Sequence, residues 1–87
     1  MSLDFPNHSR SYDRRRNGVR FWAHDSAMEV PFFVAADALR KLDPAMKPGE
    51  AGCLATFDAQ RPLIEETARS VYRRGSRDAY ELSMENL

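Results

Sequence analysis

The chain has 87 residues, 43% of them hydrophobic and 30% charged, with 13 basic residues balancing 13 acidic ones. That length holds one small domain, residues 1–87, with a thin stability margin, and the composition excludes a chain disordered along most of its length. Zero net charge gives no global pull toward nucleic acid or an anionic membrane and little repulsion against self-association, and a lone cysteine, Cys53, excludes an internal disulfide or a cysteine-based zinc cluster.

The opening "MSLDFPNHSR" lacks the basic start and apolar run of a signal peptide. No window nears the roughly 18 apolar residues of a membrane helix, so the expected setting is the cytoplasm, with no membrane partner. Leu3 and Phe5 alternate with polar neighbours before Pro6, the pattern of a short edge strand. Residues 1–2 and 84–87 are expected to fray.

In "RSYDRRRNGVRFW", Asn17-Gly18 supplies the two positive-φ positions of a two-residue hairpin turn. A strand over Ser11–Arg15 would then pair with Val19–His24. The second strand puts Val19, Phe21 and Ala23 on one face, and Arg20, Trp22 and His24 on the other. After the turn "DSA", a third strand puts Met28, Val30, Phe32 and Val34 on one face, and Glu29, Pro31 and Phe33 on the other. Pro31 removes a ladder donor, which places it beside an edge or a bulge.

Ala38, Leu39 and Leu42 fit a short amphipathic helix that Pro44 stops. Pro48 suits the first position of the next helix. From Glu50 to Arg74, the positions Leu54, Phe57, Arg61, Ile64, Ala68 and Val71 recur at alternating steps of three and four, one face of a long helix. Pro62 predicts a kink in it, or two helices in tandem. Gly75 suits its C-terminal cap, and Arg73 and Arg74 suit its negative end. Tyr80 and Leu82 share one face of a last strand. The expected fold is α+β: a small antiparallel sheet of three or four strands, with a short helix and a long Pro-kinked helix packed on one face.

In that layout Trp22 and Phe33 point away from the long helix. Aromatics concentrate in interface cores, so Trp22, Phe33 and Pro31 are the candidate surface for a protein partner or a homodimer. The competing expectation is that the N-terminal segment with Leu3 and Phe5, or the shorter helix, folds over this face.

Two arginine clusters supply the alternative. Arg14, Arg15 and Arg16 sit at the hairpin tip, and Arg69, Arg73, Arg74 and Arg77 near the end of the long helix. If they met in space they could track a phosphate backbone and make a small regulatory nucleic-acid binder. Zero net charge and the absence of a nucleic-acid motif weigh against it.

No catalytic set converges, so no enzyme, cofactor, metal or small-molecule ligand is expected. Cys53 lies near the buried helix face without a recognisable base among His8 and His24, and reads as a small hydrophobe. His24, Asp25 and Glu29 read as a solvated corner rather than a metal site. Glu65 and Glu66 diverge by about 100° around a helix and are no acid–base pair. Arg61 on the apolar stripe finds partners in Asp58 and Glu65, three before and four after it, rather than in a ligand at the kink.

The pieces "LDFPN", "YD", "VRFWAHDSAMEVPFFV", "DALRKL", "FDAQRPLIEETARSVYRRG" and "YEL" resemble a family of short bacterial proteins catalogued as domain of unknown function 1488. The resemblance spans residues 2–82 and is most specific in "VRFW…EVPFFV". It implies a small α+β domain and no established activity. Pro62 and the closing "MENL" depart from the family's pattern.

Overall fold

The structure, a computed structural model, describes residues 3–6, 9–73, 80–83 and 87, Arg73 without its side chain. In chain order the elements are β1 (Arg10–Asp13), β2 (Gly18–Asp25), β3 (Met28–Ala35), α1 (Ala36–Leu42), α2 (Gly49–Ala59), α3 (Arg61–Arg73) and β4 (Tyr80–Leu82). The expected cap at Gly75, and fraying at 1–2 and 84–86, lie outside the described residues.

The four strands stand side by side in sequence order. β1, β2 and β3 pair antiparallel, but β4 runs parallel to β3, pairing Phe32 with Tyr80 and Val34 with Leu82. The sheet is therefore mixed rather than antiparallel. The physical reason is the connection: three helices carry the chain across one face and return it in the direction of β3, the crossover that parallel pairing requires.

Of the two expectations at Pro62, two helices in tandem form rather than one long, kinked helix. α2 ends at Ala59, Gln60 leaves the helical region with φ −105° and ψ 16°, and α3 starts at Arg61. Pro62 then falls in the first turn of α3, where its missing N–H costs no helical hydrogen bond. Pro48 stands just before α2 as its N-cap rather than inside it.

The first hairpin also differs from expectation. Its loop is the four residues 14–17, not two, and Asp13 pairs with Gly18. Asp13 Oδ1 accepts the N–H groups of Arg15 and Arg16 at 3.1 Å each, and Asn17 alone takes positive φ, at 54°. The short polar side chains at both ends thus build a longer turn than the Asn-Gly pair announces.

One face of the sheet carries the core. Val19, Phe21 and Ala23 of β2, Val30, Phe32 and Val34 of β3, and Tyr80 and Leu82 of β4 are buried there under Ala38, Leu39, Cys53, Phe57, Ile64 and Ala68 of the helices. Ring contacts run across it, with centroids 5.3 Å apart for Phe21–Phe32, 5.1 Å for Phe21–Phe57 and 5.3 Å for Phe32–Tyr80. Burial of this kind contributes about 1.5–3 kcal/mol per large side chain.

Ion pairs tie β1 to the helices. Arg10 grips Asp58 with two hydrogen bonds, at 3.0 and 2.8 Å, and Arg61 approaches the same carboxylate at 3.3 Å. The hydrogen bonds from Arg10 hold the Asp58 carboxyl below its usual range. A depressed carboxyl stabilises the fold above its unfolded pKa of about 3.9, and that share is lost as pH falls through the lower folded value. Asp58 is 45% exposed, so solvent screening limits the pair to about 1 kcal/mol. Asp58→Asn is expected to be less stable than the native chain by that amount at neutral pH. The gap should close in strong acid, which urea unfolding across a pH series measures.

Candidate functional site

All three helices pack on the core face, which leaves the other face of the sheet without a covering element among the described residues. The alternation of β2 and β3 dictates what it displays. In the register, Arg20 stands opposite Phe33, Trp22 opposite Pro31, and His24 opposite Glu29. Glu81 of β4 stands beside Phe33, and Asp4 joins at the far end through a single bridge to His24, with both backbone hydrogen bonds at 2.8–2.9 Å.

The candidate trio divides in two. Trp22 and Pro31 are half-buried and lie at the centre of this face. Phe33 is 5% exposed and offers no free surface. Its ring lies against Gly18, whose hydrogen leaves just enough room, and the Arg16 guanidinium caps it with 3.8 Å to the ring centroid. Arg16 also pairs with Glu81 at 2.8 Å. Phe33 is thus a structural residue held between the first turn and β4. Sequence reasoning missed Gly18, Arg16 and Glu81 as its partners. The one available signal was a glycine inside a strand, where an aromatic neighbour commonly fills the gap.

Among the described residues, Leu3, Phe5 and the shorter helix do not cover this face. Leu3 and Phe5 are buried on the core side, where Phe5 lies 6.2 Å from Phe21 and 6.4 Å from Phe32. α1 is on the core side as well, through Ala36, Ala38 and Leu39. What the open face has instead is a cleft of about 350 Å³ lined by Pro6, Ser9, Trp22, His24 and Glu29. Arg20 overhangs Trp22 at 5.7 Å, so the indole is flanked by a cation on one side and the His24–Glu29 pair on the other.

Of the two arginine clusters, the described members Arg14, Arg15 and Arg69 lie apart. Arg14 and Arg15 are exposed at the tip before Gly18. Arg69 packs on the Phe5 ring at 5.1 Å and donates to the Leu3 carbonyl at 3.4 Å, beside the Asp4–His24 bridge. Gly18 and His24 are six residues apart on one strand, which spaces the two sites by roughly 20 Å. Arg74 and Arg77 and the side chain of Arg73 lie outside the described residues.

The remaining chemistry is structural. The corner of His24, Asp25 and Glu29 splits between faces, because Asp25 turns inward to accept a hydrogen bond from the Tyr72 hydroxyl. That bond pushes the Tyr72 hydroxyl pKa up. No cluster of three metal-ligating side chains occurs among the described residues. Burial raises the Cys53 thiol pKa, which leaves it protonated. Arg61 lies between Asp58 and Glu65 at 3.3 and 3.6 Å, over the Phe57 ring. No described helix is long and apolar enough to cross a membrane.

A family model described as a protein of unknown function, DUF1488, matches residues 3–84. Among solved structures, a protein of unknown function from the DUF1488 family of Shewanella loihica PV-4 is similar, with a TM-score of 0.82 at 18% identity over 93% of this chain and 91% of that one. At that identity the likeness shows the fold. No match is found among curated proteins.

Proposed function

Because the chain belongs to the DUF1488 family, a family of unknown function, we propose its role from its own surface: it is a non-enzymatic module that binds protein through the open face of the sheet. The observation that carries this reading is the half-buried Trp22 at the centre of a face that no described helix covers. Tryptophan is among the residues enriched in interface hot spots, which cluster near the centre of an interface inside a rim of weaker contacts. Pro31 extends the apolar centre, and Arg20, His24, Glu29 and Asp4 form the polar rim. The buried, protonated Cys53 suits a reducing compartment such as the cytoplasm.

The test is Trp22→Ser against the triple change of Arg14, Arg15 and Arg16 to Ala, with binding measured at low and moderate salt. Trp22→Ser is expected to weaken the protein's complexes by at least about 30-fold, the effect of losing an interface anchor worth about 2 kcal/mol. The fold should be preserved, because the indole lies outside the core. The arginine triple should weaken the complexes far less, by no more than the uncapping of Phe33 and the loss of the outer cations bring about. The opposite pattern, with binding lost in the triple variant and steeply weakened by salt, would replace this reading by phosphate-backbone binding.

A further inference from the structure

The open face sorts its charges by end. Arg20 lies two residues before Trp22 on β2, and Glu29 two residues before Pro31 on β3. Because the strands are antiparallel, these two steps go in opposite directions. Arg20 and Glu29 therefore stand on rows roughly 7 Å to either side of the central Trp22–Pro31 row. Asp4 adds a second acid at the Glu29 end, and the exposed Arg14 and Arg15 add cations beyond the Arg20 end. Glu81 also stands in the Arg20 row, where Arg16 pairs with it at 2.8 Å, and His24 stands between Asp4 and Glu29. The middle is therefore apolar, one end carries a net basic charge, and the other a net acidic one.

Such a face is complementary to itself. A two-fold rotation about an axis along the central row lays Trp22 and Pro31 of one copy over the same row of the other. It also brings the basic end of each over the acidic end of its partner. A two-fold interface must be self-matching in this sense, since every contact occurs twice. Resting on the open-face reading above, we propose that the occupant of this face is a second copy of the same chain. The copies form a two-fold dimer with Trp22 at its axis and Arg20 set against Glu29 and Asp4 of the partner. Zero net charge on the chain leaves no long-range repulsion to oppose the pairing.

The test reverses the two charges separately and together. Both side chains belong to exposed residues, so Arg20→Glu and Glu29→Arg should leave the circular dichroism spectrum unchanged. Sedimentation velocity over a concentration series is expected to show a native dimer. Each single reversal places like charges against each other twice and should weaken the dimer at least about ten-fold. Mixing the two variants makes both contacts between positions 20 and 29 complementary again, leaves one like-charge contact at Asp4, and should restore a heterodimer somewhat weaker than the native dimer. The double variant in one chain should likewise dimerise with itself.

A native chain that stays monomeric throughout overturns the second-copy proposal. The open-face reading then stands or falls separately, on whether Trp22→Ser abolishes binding to another protein. A dimer that survives both single reversals but is lost with Trp22→Ser rejects the charge-swapped arrangement while keeping the face. A dimer indifferent to all three changes rejects both.

Discussion

Gly52→Ala is expected to destabilise the fold by about 2–3 kcal/mol, the reverse of what the same change does in an ordinary helix. In a free helix interior, alanine is favoured over glycine by about 1 kcal/mol. Here the loop before α2 folds back onto its first turn. A methyl carbon on Gly52 would lie 1.6 Å from the Lys47 carbonyl oxygen and 2.4 Å from its carbonyl carbon. Both are backbone atoms, so no rotamer change relieves the clash, and either the loop or the helix must move. The buried Met46 sits in that loop and would be displaced with it. Overpacking of this kind costs about 1–3 kcal/mol and occasionally more, enough to reverse the propensity gain. For a domain of this size the melting temperature should fall by roughly 8–24 °C. Thermal unfolding at equal or raised stability would show that the loop yields freely.

The second large effect is expected at Gly18, where it also reaches the open face. A methyl carbon there would lie 2.4 Å from Cζ of Phe33 and 2.5 Å from the Val34 carbonyl oxygen. Gly18→Ala must therefore expel the Phe33 ring from beneath Arg16 and strain the pairing of β2 with β3. The expected loss is about 2–3 kcal/mol. Combining it with Phe33→Leu, which removes the ring edge, should recover part of the loss and not all, because the Val34 carbonyl remains. Strict additivity of the two changes in chemical denaturation would contradict the contact. The single variant should also expose Phe33 and become prone to aggregation, which light scattering reads directly.

The faces of β2 and β3 were legible because a period of two sorts Val19, Phe21 and Ala23 from Arg20, Trp22 and His24 with no knowledge of their surroundings. The same holds for Tyr80 and Leu82. Pro44 and Pro62 marked real helix boundaries for the local reason that proline lacks a donor. What escaped the sequence was set by contacts distant along the chain. The direction of β4 depends on how α1, α2 and α3 return the chain, which no local pattern encodes. The burial of Phe33 depends on Gly18, Arg16 and Glu81, three residues drawn from a turn and two strands. Phe5 reads as readily for one face of the sheet as for the other until the Asp4–His24 bridge fixes its side. Trp22 and Pro31 therefore stay half-exposed side by side, while Phe33 belongs to the framework beneath them.

Trp22 is the only tryptophan in the chain, so its fluorescence reports on the open face alone. The most direct measurement is acrylamide quenching of that fluorescence over a wide range of protein concentration, repeated with each candidate protein partner. Quenching is expected to fall and the emission to shift to the blue as the chain associates, because the indole passes from a half-exposed site into a dry interface. Association seen by light scattering, with Trp22 as open to quencher in the complex as in the free chain, would contradict it.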